Sequence, residues 1–388
     1  MKNKRLLQEY TNKLEEISSD RDFVFGQVAT AYGEDEIRYM MAYINDNPQC
    51  KASDVILEDL EYTRRQKEKQ CVSAIMGLVV GDALGVPVEF MSRTELKEQP
   101  VEGMRGFGTH NQPAGTWSDD SSMVIATMEW LTEIEILPPN YNTLMDNFSD
   151  WLLLGKYTPY GETFDCGIST SRAIINYAKG IEPTLCGGRT EFDNGNGSLM
   201  RILPAALWYS EGLAFTHIDR DEYIHDLSAL THAHPRSKIG CLLYAKIIAD
   251  MMHMPDRDKF EIVEQSLSYS RKHLESALQR DFIKETEKYY RLWNLQAFKE
   301  LPETEIKSSG YIVDTLEAAL WCFLNTESYR DCVLKAVNLG EDTDTLGAVS
   351  GGIAGLYYGY ENIPEEWISK IPSKEVIIGL AEEIAQLG

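Results

Sequence analysis

The sequence has little that would tie it to nucleic acid, to a disulfide framework or to a membrane. Its 37 lysines and arginines face 61 aspartates and glutamates, a formal net charge of −24. Holding a phosphate backbone requires a basic stripe that releases counterions. The one basic cluster, Arg64, Arg65, Lys67 and Lys69, is short and interrupted by Glu68, so no nucleic-acid partner is expected. The seven cysteines (Cys50, Cys71, Cys166, Cys186, Cys241, Cys322 and Cys332) are odd in number, and no CxxC pair occurs. That pattern disfavours a zinc ribbon or paired disulfides and reads as free thiols in a reducing compartment. No run of 18 apolar residues is present, as a spanning helix would need. The basic start MKNKRLLQEYTNKLEE leads into no apolar segment. The expectation is a cytoplasmic protein with neither a signal peptide nor a membrane contact.

Alternating, strand-like runs are also scarce. A 3.6-residue apolar period dominates instead, over 122–133, 141–154, 169–178, 223–230, 237–252, 260–278, 313–324 and 376–387. The fold class is therefore all-α. Residues 1–66 read as a small helical extension, with amphipathic stretches at Leu6–Ile17 and Glu34–Ile44, and 67–388 as the main domain.

Two of the apolar helices carry glycine every fourth residue: Gly77, Gly81 and Gly85 in one, and Gly347, Gly351, Gly355 and Gly359 in the other. Each interior glycine costs roughly 1 kcal/mol against alanine. A stripe of them lets a second backbone approach closely and recover that cost by packing. The spacing predicts a buried pair of central helices.

Two acidic segments stand just before apolar helices, Ser118-Asp119-Asp120-Ser121 and Asp342-Thr343-Asp344-Thr345. Capping explains part of this, since hydroxyls and carboxylates accept from orphan helix N–H groups and suit the helix dipole. One cap uses one such residue, however, and four clustered carboxylates repel unless cations neutralise them. Carboxylate and hydroxyl oxygens are the donors that hard divalent ions take, magnesium or manganese rather than zinc.

Taken in order, six motifs resemble the ADP-ribosylglycohydrolase family, which includes the dinitrogenase reductase-activating glycohydrolases. They are Gly77–Phe90, Gly115–Met123, Thr163–Gly167, Gly195–Arg201, Thr231-His232 and Gly340–Thr345. Short acidic or glycine-rich strings are common singly; six in family order over some 300 residues are specific. The resemblance implies a compact orthogonal multi-helix core and hydrolysis of ADP-ribose from a modified protein side chain, most simply arginine, or from a small molecule. It also implies two divalent cations, Mg or Mn, held by Ser118, Asp119, Asp120, Asp342, Asp344 and Thr345. Ser118 stands where the family usually has threonine, and Cys166 where isoleucine is usual.

Asp165, Gly167, Asn196, Gly197, Ser198, Met200, Arg201 and His232 become substrate-binding residues by the same resemblance, and Glu89 part of a mobile loop near the scissile bond. Residues 195–201 also read on their own as a loop entering a helix at Leu199, either an ordinary turn with Ser198 as N-cap or a backbone whose N–H groups and helix dipole suit a diphosphate. The proton acceptor would be Glu89 or a metal-site aspartate such as Asp119 or Asp344. Two other functions fit the same residues: an ADP-ribose-binding relative without turnover, and an immunity protein whose residues 1–66 meet an ADP-ribosylating toxin. A purely structural helical protein with two overbuilt caps does not account for the motif order. With oxygen ligands only, activity should fall in acid as protons compete with metal.

Overall fold

Glycine at every fourth position removes the side chains from one face of a helix, and two such faces meet here. The computed structural model describes residues 52–134, 139–210, 220–275 and 280–387, with side chains described from residue 64. One glycine helix runs Ala52–Gly85 and the other Thr343–Tyr358. A Cβ on Gly81 would lie 2.6 Å from the Gly347 carbonyl carbon and closer still to its oxygen; one on Gly77 would lie 2.8 Å from Gly355 Cα. The reverse holds: a Cβ on Gly351 would meet the Gly77 carbonyl carbon at 3.0 Å. These are backbone-to-backbone contacts that no larger residue permits. Gly85 abuts the backbone of Thr343 and Asp344, so the stripe delivers the end of one helix onto the acidic start of the other. Gly359 lies outside the stripe: it ends the second helix at φ 88°, the left-handed region that glycine tolerates.

Four further helices pack on the second of this pair. Thr343–Tyr358 packs against Tyr329–Val337, Ile312–Leu324, Pro235–His253 and Asp119–Thr132, and the last of these against Tyr141–Leu154 and Lys374–Ile384. Among the described residues there is no strand, only three isolated bridges, as the scarcity of alternating patterns predicts. The segment Arg64–Val88 includes an 18-residue window apolar enough to cross a membrane by length and composition, but 94% of that window is buried in the protein interior. Packing, not lipid, thus accounts for its hydropathy. Among the described residues, Cys166, Cys186, Cys241, Cys322 and Cys332 are free thiols.

The chain divides into two units, Met1–Lys67 and Glu68–Gly388. The helices expected at 6–17 and 34–44, and with them most of the surface proposed for a toxin, lie outside the described residues.

Candidate active site

The two acidic segments, 222 positions apart at Asp120 and Asp342, converge because their helices do. Ser118 caps Asp119–Thr132: its side chain accepts from Asp120 N–H. Asp342 occupies the cap position of Thr343–Tyr358, but its carboxylate makes no cap hydrogen bond. It accepts instead from Asn196 Nδ2 at 2.7 Å, and Asn196 is held in turn against Thr315 Oγ1 at 2.9 Å. The second segment is thus turned away from simple capping. Thr345 Oγ1 bridges to Asp120 Oδ2 at 3.3 Å. One oxygen each of Asp82, Asp120 and Asp344 lies within 4.8 Å of the other two, and the same is true of Glu89, Asp342 and Asp344. Asp344 belongs to both groups.

Asp82 has no role in the sequence reading, although it lies within the first motif. It is fully buried on the glycine helix. Its two oxygens accept from Ser118 N–H (3.0 and 3.1 Å), Ser121 N–H (3.0 Å) and Ser121 Oγ (2.5 Å). Its carboxylate therefore pins the turn that presents Asp119 and Asp120. A signal was available: it is the one charge in the apolar run Cys71–Val88, and a buried charge requires partners.

So much buried acid is electrostatically costly. Burial, reinforced by neighbouring carboxylates, pushes Asp119, Asp120 and Asp344 well above the ordinary carboxylate range. Burial also raises Asp342, raises Asp82 to about 6 despite its hydrogen bonds, and raises Glu89 to about 7. Two oxygens, Asp120 Oδ1 and Asp344 Oδ2, are buried with no hydrogen-bond partner in the protein. Orphaned anionic oxygens are rare in a folded interior. Cations are the partner that this donor set fits.

A cavity of about 540 Å³ opens over these acids. Glu89, Asp119, Asp342 and Thr345 line its floor, and Asp165, Gly167, Asn196, Gly197, Met200 and His232 its walls. Glu89, at the end of the short turn Val86–Val88, is 5% exposed, and its Oε2 is hydrogen-bonded to His110 Nε2. Asp165 stands at φ 49°, and its carboxylate forms a further group with the Glu89 carboxylate and a His110 ring nitrogen, one atom of each lying within 4.8 Å of the other two. Burial, then the charge of Arg201, lowers His232 to about 3, so the ring facing Gly195 and Gly197 is neutral.

Ser118, Asp120 and Asp344 lie beneath this lining, fully buried. Two further expected residues sit elsewhere. Ser198 turns its hydroxyl inward to Ser228 Oγ (3.1 Å) and Cys241. Arg201, 1% exposed, donates to Leu227 O and Thr231 Oγ1, each at 2.8 Å, and lies over the Phe148 ring. The helix expected to open at Leu199 begins at Leu203, with Pro204 in its first turn. Residues 196–200 form a turn in which Asn196 O accepts from both Leu199 and Met200 N–H. Those two N–H groups are therefore spent inside the turn and do not serve a diphosphate.

Comparison with known proteins agrees with this geometry. The family model described as ADP-ribosylglycohydrolase matches residues 63–388. An ADP-ribosylarginine hydrolase Tri1 from Serratia proteamaculans (strain 568) is 32% identical over 312 residues, spanning 80% of this chain and 77% of the relative. The ADP-ribosyl-[dinitrogen reductase] glycohydrolase of Rhodospirillum rubrum is 31% identical over 308 residues, spanning 79% and 91%. A solved ADP-ribosylglycohydrolase-related protein complex superposes with a TM-score of 0.66 at 28% identity, covering 83% of this chain and 99% of that one. An acid-floored cavity at the meeting of two glycine-striped helices, and the match of nearly all of the main unit, make this chain an enzyme of the ADP-ribosylglycohydrolase family.

Proposed function

We propose that the enzyme removes ADP-ribose from arginine side chains of a modified protein, using two divalent cations, magnesium or manganese. The observation that carries the metal reading is the pair of buried, unpartnered oxygens Asp120 Oδ1 and Asp344 Oδ2 amid raised carboxylates. Ser118, Asp119, Asp120, Asp342, Asp344 and Thr345 would hold the ions. Bound there, such ions supply positive charge that engages ribose hydroxyls and acidifies a water. Names of two relatives, both ADP-ribosylarginine hydrolases, support arginine as the acceptor.

The residues divide the work. Water attacks C1″ of the distal ribose, the bond from C1″ to the guanidino nitrogen breaks with its electron pair going to nitrogen, and that nitrogen takes up the proton that the water has lost, restoring the arginine guanidinium. The departing sugar passes through an oxocarbenium-like state that anionic surroundings favour, and Asp119 and Asp342 on the cavity floor provide them. Glu89, on the same floor, accepts the proton from the attacking water. Asn196 fixes Asp342 by hydrogen bonding, while Asp165 and neutral His232 shape the wall against which the nucleotide lies. Incubating the protein and magnesium with arginine-, serine- and base-linked ADP-ribose, and following free ADP-ribose, tests the reading. Release from arginine alone is expected; release only from another linkage overturns the acceptor assignment.

A further inference from the structure

Sequence gives His110 no special standing, for it is one histidine in a polar turn between two apolar segments. Its surroundings give it one. The turn Gly108–His110 lies directly against Val86–Val88. Gly108, at φ 68°, sits so close to Pro87 that a Cβ would meet Pro87 Cα at 3.0 Å and its carbonyl oxygen nearer still. Thr109 Oγ1 donates to the Glu89 carbonyl at 2.7 Å. His110 Nε2 is bonded to Glu89 Oε2. The imidazole is itself flanked by aromatic rings, Phe164 at 5.2 Å and Phe90 at 6.1 Å between centroids. Backbone and side chain of Glu89 are thus both gripped by one three-residue turn.

That grip matters because Glu89 faces carboxylates. Asp342, Asp344 and Asp165 each bring a carboxylate oxygen within 4.8 Å of a Glu89 oxygen. Without a donor, its carboxylate would be driven away from them toward solvent. We infer that His110 is a positioning residue: by occupying Oε2 it holds Glu89 over the cavity floor and leaves Oε1 as the oxygen that meets the reacting water. The inference rests on the reading of Glu89 as proton acceptor. A general base supplies on the order of 10²- to 10⁴-fold, and misplacement by about an ångström costs on the order of 10²-fold. His110→Ala should therefore lower kcat about 10- to 100-fold with little change in KM. His110→Gln, whose amide can still donate to Glu89, should recover most of the loss.

A double-mutant cycle separates positioning from plain structural damage. Full-length wild type, Glu89→Gln, His110→Ala, His110→Gln and the Glu89→Gln/His110→Ala double variant are assayed for arginine-linked ADP-ribose release, with thermal unfolding measured alongside. Support is a kcat loss in His110→Ala that Gln restores and that vanishes in the Glu89→Gln background. An equal loss in both backgrounds overturns the inference, because His110 then acts independently of Glu89. Loss in Glu89→Gln with full activity in His110→Ala overturns it too, while sparing the reading of Glu89. Full activity in Glu89→Gln refutes the reading of Glu89 itself, and the inference with it.

Discussion

Replacing Gly81 by alanine should weaken the protein and disable its site together. Alanine is the better helix former by roughly 1 kcal/mol, so an isolated helix would gain. Here the added methyl would sit 2.6 Å from the Gly347 carbonyl carbon, where ordinary carbon contacts begin near about 3.5 Å. The obstacle is backbone, which cannot rotate aside, so the two helices must part by about 1 Å. Overpacking of this kind costs about 1–3 kcal/mol or more, and two backbones meeting head-on put this site at the upper end; after the propensity gain of roughly 1 kcal/mol, the net loss is about 2 kcal/mol, or several degrees of melting temperature in a unit this size. Asp82, the next residue, would move with the helix and carry the Ser118–Ser121 turn with it, so turnover should fall by more than stability does. Gly379→Ala, on Lys374–Ile384 with open space at its Cβ, is the control and should gain about 0.5–1 kcal/mol. Calorimetric melting of both variants checks this. If Gly81→Ala melts at or above the wild type, the close approach of the two helices is wrong.

Three further outcomes follow from the same geometry. Asp82→Asn should raise the magnesium needed for half-activation by about 10- to 100-fold, as for residues that orient metal ligands; an unchanged metal titration would remove Asp82 from that role. His232, held at about 3 in the fold against 6.5 ordinarily, binds its proton only in the unfolded chain, so stability is lost as pH falls below 6.5, by about 1.4 kcal/mol per unit. Urea unfolding at pH 7 and 4.5 should show a smaller acid loss for His232→Gln by about 2–3 kcal/mol, whereas parallel losses would mean that the ring is protonated in the fold. A chain beginning at Glu68 should still hydrolyse a small arginine-linked substrate, since among the described residues every one lining the cavity follows it; a folded but inactive truncation would show that the extension completes the site.

What could be read from the sequence tracks what local physics dictates. Helix bounds followed the apolar period closely, Tyr141–Leu154 to the residue, and the four-residue glycine spacing announced the central pair. The acidic segments were legible because they oversupply caps, and Asn196 shows how the structure uses the excess: it draws Asp342 out of capping and into the cavity. Less legible were residues whose role depends on what lies opposite. Asp82 looks like a defect in an apolar helix until Ser118 and Ser121 are placed against it. His110 matters only through its distance from Glu89. The helix after Met200 starts later than its apolar run predicts because Pro204 fixes the first turn. Arg201 illustrates a limit of motifs: a residue can belong to one and yet sit behind the cavity, its guanidinium on Thr231 and Phe148.

The central claim, that carboxylates from both helix starts act through divalent cations, is tested most directly by metal add-back. The full-length protein is stripped with chelator, titrated with magnesium or manganese, and followed for ADP-ribose release from an arginine-modified protein, beside Asp119→Ala and Asp344→Ala. The predicted result is no turnover when stripped, recovery with either metal, and no recovery in either variant despite normal helical content. Turnover that survives exhaustive chelation, or both variants responding like wild type, would contradict it.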